Sequence, residues 1–173
     1  MSACNYGALA LLLSHATHAA VAEQFAGGFE LRYEHLVPRR AEQIYLGFVR
    51  IGSWWDLSQT YTGKADGLRL KLGPGGCFCE HGKHFYVRHL ELVFAEKYRR
   101  LVFTGGLGPL QSMAVNGVLS VTITPGAEAS TLQWTYRVSG GDPAKMSALA
   151  KPVDSLMQGQ FERFVRYLQP AGE

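Results

Sequence analysis

The side chains best suited to chemistry crowd into the segment GGCFCEHGKHF, residues 75 to 85. Cys77, Cys79, His81 and His84 are all of the types that bind zinc. In an extended strand, however, each residue advances the chain by about 3.3 Å, which puts Cys77 about 13 Å from His81. A zinc ion holds its ligands within about 2.3 Å. Because a regular strand cannot bring all four side chains to one ion, we expect neither a metal site nor any other cofactor.

A disulfide bond between Cys77 and Cys79 is the second hypothesis for this segment. Residues i and i+2 of a strand keep their β-carbons farther apart than the roughly 3.5 to 4.5 Å that a disulfide spans. The bond would need a local kink, which Gly75 and Gly76 could allow. The favoured interpretation is that the cysteines are small apolar residues on one strand face, followed by a hairpin turn at residues 81–84.

His89 and Glu91 are the next candidates, because they lie two residues apart on one predicted strand. A histidine beside a carboxylate suits acid-base catalysis near neutral pH. Leu90, Leu92 and Phe94 alternate with them, however, and look like the buried face. We therefore expect His89 and Glu91 to face solvent as an ordinary surface pair.

Tyr136 and Asp56 complete the ionisable groups that a pocket could use. The chain has no Gly-x-Ser-x-Gly elbow, no His-Glu-x-x-His, no phosphate loop and no dinucleotide fingerprint. No catalytic residue is predicted, and the sequence favours a binding protein over an enzyme.

Composition limits the architecture and the partners. The 173 residues are 47% hydrophobic and 18% charged, which suits one domain with a sizeable core. The net charge is +3, and the basic runs at residues 39–40 and 97–100 are too short for a nucleic-acid surface. We expect a monomer or homodimer that binds no nucleic acid.

Residues 1–22 differ from the rest because they contain no Asp, Glu, Lys or Arg. An apolar run followed by Ala20-Val21-Ala22 fits a signal peptide cleaved before Glu23, although the usual positive charges are missing. The predicted domains are thus a leader at 1–22 and a single globular domain at 23–173. A cleaved leader implies a periplasmic or secreted protein, and an uncleaved apolar tail implies a cytoplasmic one. The run is shorter than the roughly 20 apolar residues of a membrane span, so no integral span is expected.

The order of elements follows from hydrophobic periodicity. A strand from Phe29 precedes an amphipathic helix after Pro38 and a short second helix or turn at Trp54. Six alternating runs separated by turn residues predict six more strands, with a loop or helical turn at residues 107–116. The apolar spacing in residues 143–170 predicts a long terminal helix, with a kink or a new start at Pro152. The seven-stranded antiparallel sheet must curve around that helix to cover its apolar face.

This order, with IYLGFVRIGSWWD, GLRLKLGPGGCFCE, TLQWTYRVSG and PVDSLMQGQFERFVRYL in sequence, resembles the START-like, Bet v 1-type superfamily of polyketide cyclases and lipid-transport proteins. Within it, the chain resembles the branch named after the activator of the heat-shock-protein-90 ATPase. The resemblance implies an α+β helix-grip fold with a hydrophobic tunnel between the sheet and the terminal helix. The residues expected to contact a ligand there are Tyr45, Phe48, Trp54, Trp55, Leu70, Phe78, Leu92, Phe103, Val121, Trp134, Tyr136, Met157 and Phe161.

Three functions are compatible with that resemblance. The favoured one is the binding or carriage of a hydrophobic small molecule, such as a lipid or polyketide, without defined catalysis. A polyketide cyclase or aromatase would need at least two polar groups meeting inside the cavity. A co-chaperone-like interaction module would need a collapsed cavity and an exposed apolar patch.

Overall fold

The computed structural model describes residues 20–169. Its strands form a single antiparallel sheet in the order β1-β2-β8-β7-β6-β5-β4-β3. β2, which precedes the first α-helix, pairs along all of its ten residues with β8, which precedes the last one. The strands are β1 (Ala20–Phe25), β2 (Gly28–Val37), β3 (Leu68–Lys71), β4 (Cys77–His81), β5 (Tyr86–Glu96), β6 (Arg100–Thr104), β7 (Val115–Pro125) and β8 (Ser130–Gly140).

Two α-helices accompany the sheet, α1 (Ala41–Val49) and α2 (Pro143–Leu168). The carboxylate of Asp142 caps α2 by accepting a hydrogen bond of 2.9 Å from the amide of Ala144. Pro152 lies inside α2, where its ring removes the backbone hydrogen bond to the carbonyl of Ala148. The helix continues past the proline, because its buried side chains hold it on the sheet.

Alternation of apolar and polar residues gives the sheet one buried face, which packs against α2. On β8, Leu132, Trp134, Tyr136 and Val138 are each no more than 1% exposed, while the residues between them point the other way. Their side chains meet the apolar face of α2, including Phe161 and others of the core. The helix-grip arrangement predicted from the sequence is therefore confirmed.

The structure corrects one detail of the predicted fold, the number of strands. Within residues 20–169 the sheet has eight strands and not seven, since residues 20–25 form a strand that pairs with β2 after a turn at Ala26 and Gly27. A left-handed φ of 78° at Gly27 suits the tight turn. The short second helix or turn expected at Trp54 is a series of 3-10 turns, Ile51–Ser53, Leu57–Gln59 and Ala65–Gly67. The loop at residues 107–116 contains a further 3-10 turn, Gly108–Ser112.

The new strand begins before the predicted leader boundary. Residues 20–22 belong both to β1 and to the expected leader, whose first 19 residues lie outside the described part of the chain. The division into a leader and a domain stays a prediction. Within residues 20–169, no helix combines the length and apolar character needed to cross a bilayer.

Candidate functional site

A cavity of about 180 Å³ lies between the first half of α2, the β6–β7 loop and the inner face of β4 and β5. Gln59 and Pro152 at its edge are exposed, so the cavity opens to solvent there. Its wall is mainly apolar, which suits an apolar ligand. The lining residues are Trp55, Gln59, Phe78, His89, Leu107, Gly108, Leu149, Pro152, Val153, Leu156 and Met157.

Aromatic rings build the floor of this cavity. The ring of Phe78 on β4 lies 4.9 Å from Trp55 and 4.6 Å from His89, measured between centroids. Trp55 in turn lies 5.6 Å from Trp54 in the core. These contacts fix the positions of the cavity walls, because packed rings have few alternative rotamers.

His89 is the one ring nitrogen base in the described lining, and the prediction that it faces solvent is wrong. A β-bulge causes the error: Phe78 pairs with Leu90 and Cys79 with Arg88, which leaves His89 as an extra residue on β5. A bulge interrupts the alternation of faces. His89 and Leu90 are consequently both buried, at 5% and 2% exposure.

Glu80 on β4 is the buried partner of His89 and was missed by the sequence analysis. Its side chain is fully buried, and Oε2 lies 3.0 Å from Nε2 of His89. The carboxylate also accepts hydrogen bonds from the backbone amides of Tyr61 and Thr62. A signal for it existed: Glu80 stands two residues from Phe78 and therefore shares its inward face.

His89 and Glu80 differ in their protonation at neutral pH. Burial lowers the pKa of His89, and this effect outweighs the opposing attraction of Glu80. Burial would raise the pKa of Glu80, but hydrogen bonds from Thr62, Tyr61 and His89 together lower it below its ordinary value. At neutral pH the pair thus consists of a neutral imidazole and a carboxylate. Nε2 of His89 donates its proton to Glu80, and the lone pair of the ring is on Nδ1.

Tyr136 holds the β6–β7 loop against the cavity. Its buried hydroxyl donates to the carbonyl of Gly105 and accepts from the amide of Leu107, each at 3.2 Å. Burial raises the pKa of Tyr136 to about 12. Leu107 and Gly108, the next residues of that loop, line the cavity. The hydroxyl therefore positions one wall and does not itself line the cavity.

The residues expected to contact a ligand fall into two groups. Trp55, Phe78 and Met157 line the cavity. A cluster of aromatic rings in the core, with centroid distances from 4.7 Å upward, contains Phe48, Trp54, Trp134, Phe161 and Phe164. Leu92 is only partly buried. Those that pack outside the lining are Tyr45, Phe48, Trp54, Leu70, Leu92, Phe103, Val121, Trp134, Tyr136 and Phe161.

The two remaining ionisable candidates, Asp56 and Glu91, form ion pairs outside the cavity. Asp56 accepts a hydrogen bond of 3.0 Å from the amide of Ser58 and pairs with Arg163 at 3.2 Å. Glu91 is exposed and pairs with Arg88 at 3.0 Å. Neither lines the cavity.

Cys77 and Cys79 form a disulfide bond, contrary to the favoured interpretation of two free thiols. Their α-carbons are 5.5 Å apart, less than the roughly 6.7 Å of a regular strand and within the range for disulfides. Phe78, between the two cysteines, lies next to the irregular step in the β4–β5 pairing. Both sulfurs lie beside the hydroxyl of Tyr86. The bond also removes two of the thiolates that the zinc hypothesis required.

Neither a protein-family model nor a curated protein matches the sequence. Solved structures match most of the chain. The protein MLL2253 from Mesorhizobium loti has a TM-score of 0.59 and 15% identity, covering 83% of this chain and 99% of that one. DynU16, from the dynemicin biosynthetic locus, has a TM-score of 0.54 and 21% identity, with 80% of this chain covering 46% of DynU16. Ara h 8.0201 has a TM-score of 0.52 and 12% identity, covering 82% and 98%.

At these identities the likeness concerns the fold, and it agrees with the helix-grip arrangement of sheet and terminal helix. The narrower resemblance to the branch of the heat-shock-protein-90 ATPase activator stays a prediction.

Proposed function

Because this chain has the helix-grip fold of the START-like, Bet v 1-type superfamily, we propose that it binds a small hydrophobic molecule between the sheet and α2. The observation that carries the proposal is the cavity bounded by Trp55, Phe78, Leu156 and Met157, which opens to solvent beside Pro152. Binding of an apolar ligand is favourable here, because the ligand removes the apolar cavity wall from water and makes van der Waals contacts with it.

The cavity size restricts the ligand. Most ligand pockets of proteins measure about 300 to 1,000 Å³, whereas this one measures about 180 Å³. An engineered apolar cavity of about 150 Å³ accommodates benzene. The ligand class that fits inside this cavity is therefore a compact molecule of one or two rings, and a longer chain would have to extend through the mouth at Gln59 and Pro152.

Isothermal titration calorimetry with naphthalene derivatives tests this proposal. The variant Leu156→Trp fills the cavity from a partly buried position of α2 and should reduce affinity at least about tenfold by steric exclusion. Leu46→Trp makes the same substitution at an exposed position of α1, 46% accessible, and should leave affinity unchanged. Binding that neither variant alters, or no binding to the wild type, would contradict the proposal.

A cyclase-like enzyme is the second candidate, and the buried pair of His89 and Glu80 favours it. A neutral imidazole can remove a proton from carbon next to a carbonyl, and the same imidazole returns a proton to the enolate. In deuterium oxide, 2-tetralone would then exchange its C1 hydrogens faster with the wild type than with His89→Phe, as followed by proton NMR. Equal exchange rates would exclude this activity for His89.

The cavity also separates the first candidate from the third. A co-chaperone-like module predicts that the space between the sheet and helix is closed, which an open cavity of this size does not support. Val93 and Phe94 are exposed on β5, at 57% and 48%, but nothing in the structure indicates what would cover them.

A further inference from the structure

We propose that the ligand of this cavity carries a hydroxyl group, phenolic or alcoholic, that donates a hydrogen bond to His89. The proposal rests on the proposed binding function and specifies its ligand class. It follows from one geometric fact: the imidazole that lines the cavity is fixed through Nε2 to a fully buried carboxylate.

Glu80 determines which hydrogen bonds His89 can make. A carboxylate only accepts hydrogen bonds, so the ring nitrogen facing Glu80 at 3.0 Å must carry the proton. Glu80 is held in place by the amides of Tyr61 and Thr62, so that it cannot turn away to free the ring. A neutral imidazole with its proton on Nε2 accepts at Nδ1. It pairs with an O–H donor and has nothing to offer an ether or a ketone.

Charge in the wall further narrows the ligand class. Glu80 is a buried negative charge one hydrogen bond away from the cavity, and no Lys or Arg is among the described lining residues. A carboxylate ligand would therefore lose its hydration without gaining a cation. Gln59 at the mouth supplies the other polar side chain, as a neutral amide. The ligand that fits is neutral, largely apolar and hydroxylated at one end.

The stacking around the imidazole supports a fixed acceptor. Phe78 lies 4.6 Å from the ring of His89 and Tyr61 lies 6.0 Å from it, the latter nearly parallel at 23°. These neighbouring rings restrict rotation of the imidazole. A preorganised acceptor contributes to selectivity because no conformational freedom is lost when the ligand binds.

Four ligands that share one ring system test the proposal in the full-length protein: 2-naphthol, 2-methoxynaphthalene, naphthalene and 2-naphthoate. By calorimetry at pH 7.5, the wild type should bind 2-naphthol about fivefold to tenfold more tightly than naphthalene or the methyl ether, as one buried hydrogen bond predicts. The naphthoate should bind most weakly. His89→Phe should bring the three neutral ligands to within about twofold of one another.

Glu80→Gln provides a second, more specific variant. The amide of the new side chain can donate to Nε2, which would move the imidazole proton to Nδ1 and make that atom a donor. The oxygen atoms of 2-naphthol and 2-methoxynaphthalene can then both accept from Nδ1, so the preference for 2-naphthol over the ether should disappear while both still bind more tightly than naphthalene. This pattern distinguishes recognition by His89 from a general loss of packing, which would weaken all three neutral ligands alike.

The outcomes separate the two proposals. Failure of every naphthalene ligand to bind, or binding that Leu156→Trp does not reduce, would overturn the binding function and this inference with it. Binding that Leu156→Trp blocks, but with equal affinity for 2-naphthol and its methyl ether, would overturn the hydroxyl proposal alone. Circular dichroism of His89→Phe and Glu80→Gln verifies that both variants fold, and a preference unchanged in both folded variants would also overturn it.

Discussion

The hydroxyl of Tyr33 on β2 donates a hydrogen bond of 2.6 Å to the carboxylate of Asp154 on α2. The same ring stacks on Phe161 with a centroid distance of 5.5 Å. Asp154 follows Val153, which lines the cavity. The contact therefore fastens the part of α2 that forms the cavity wall to β2, next to the edge strand of the sheet.

Tyr33→Phe should lower the free energy of unfolding by about 1.5 to 3 kcal/mol, the range for a hydrogen bond to a charged group. Urea denaturation monitored by tryptophan fluorescence measures the change. Tyr45→Phe, at a tyrosine that is also buried but packs edge-on against Tyr98, is the matched control and should cost less. Equal losses in the two variants would contradict a specific role for the Asp154 contact.

Alkaline pH should destabilise the protein through Tyr33. Burial, followed by the hydrogen bond to Asp154, raises the pKa of Tyr33 above its ordinary value of 10.0. Above about pH 10 the unfolded chain releases this proton while the folded chain keeps it. The contribution of Tyr33 to the free energy of unfolding is therefore fully present below pH 10 and is lost as the pH rises further. Tyr33→Phe should reduce the slope by about 1.4 kcal/mol per pH unit. Urea titrations between pH 9 and 11 measure it, and parallel curves for variant and wild type would refute the assignment.

Acidic pH should destabilise the protein through His89 and Glu80. Burial lowers the pKa of His89, so below about pH 6.5 the unfolded chain binds a proton that the folded chain does not. Burial would raise the pKa of Glu80, but its hydrogen bonds lower this pKa overall. Protonation of Glu80 in the unfolded chain therefore also lowers the free energy of unfolding below about pH 4.5. The free energy of unfolding should therefore fall as the pH is lowered from 7.5.

Two matched variants assign the first part of that decline. His89→Gln should flatten the profile between pH 7.5 and 5, whereas His84→Gln, at an exposed turn position, should preserve it. Glu80 on β4 contacts His89 directly, and the exposed pair of Arg88 and Glu91 lies on the same strand as His89. A profile that His84→Gln flattens more than His89→Gln does would show that the buried pair is not responsible.

Tyr136→Phe should loosen the β6–β7 loop. The hydroxyl satisfies the amide of Leu107 and the carbonyl of Gly105, and its loss leaves two backbone groups unpaired at a cost of about 1 to 3 kcal/mol. Because Leu107 lines the cavity, affinity for 2-naphthol should fall as well. Calorimetry and urea denaturation give the two values, and unchanged affinity would mean that the loop does not shape the cavity.

Reduction of the Cys77–Cys79 bond should have a small effect on stability. The ring that it closes is short, and the chain-entropy model then gives less than about 2 kcal/mol. Thermal unfolding with and without dithiothreitol measures the difference, and Cys77→Ser with Cys79→Ser mimics the reduced state without reductant. Rapid alkylation of both cysteines in the folded, unreduced protein would show that the bond is absent.

Hydrophobic periodicity was sufficient to predict the buried faces where strands and helices are regular. On β8 the alternation of Leu132, Trp134 and Tyr136 predicts the buried face correctly, because each side chain points opposite to its neighbour. In α2, Met157, Phe161 and Phe164 follow the helical spacing that the structure shows. These elements determine the helix-grip arrangement, which explains why the fold was predictable.

The candidate site was less predictable because it depends on irregularities. The bulge at His89 reverses the expected face of one residue, and it depends on pairing between β4 and β5 that no local pattern encodes. The short separation of Cys77 and Cys79 is likewise a departure from regular strand geometry, which periodicity alone does not predict. The cavity position also escaped prediction, because a buried ring in the core and one in a cavity wall have the same periodicity.

The pairing of β1 with β2 has a consequence for processing. A peptidase cut after Ala22 would leave only Glu23, Gln24 and Phe25 to pair with β2. The backbone groups of β2 around Leu31 and Arg32 would then lose their partners at the margin of the sheet. An uncovered strand margin is a template for another polypeptide. Removal of the leader would thus create a place where two copies of this protein could join their sheets.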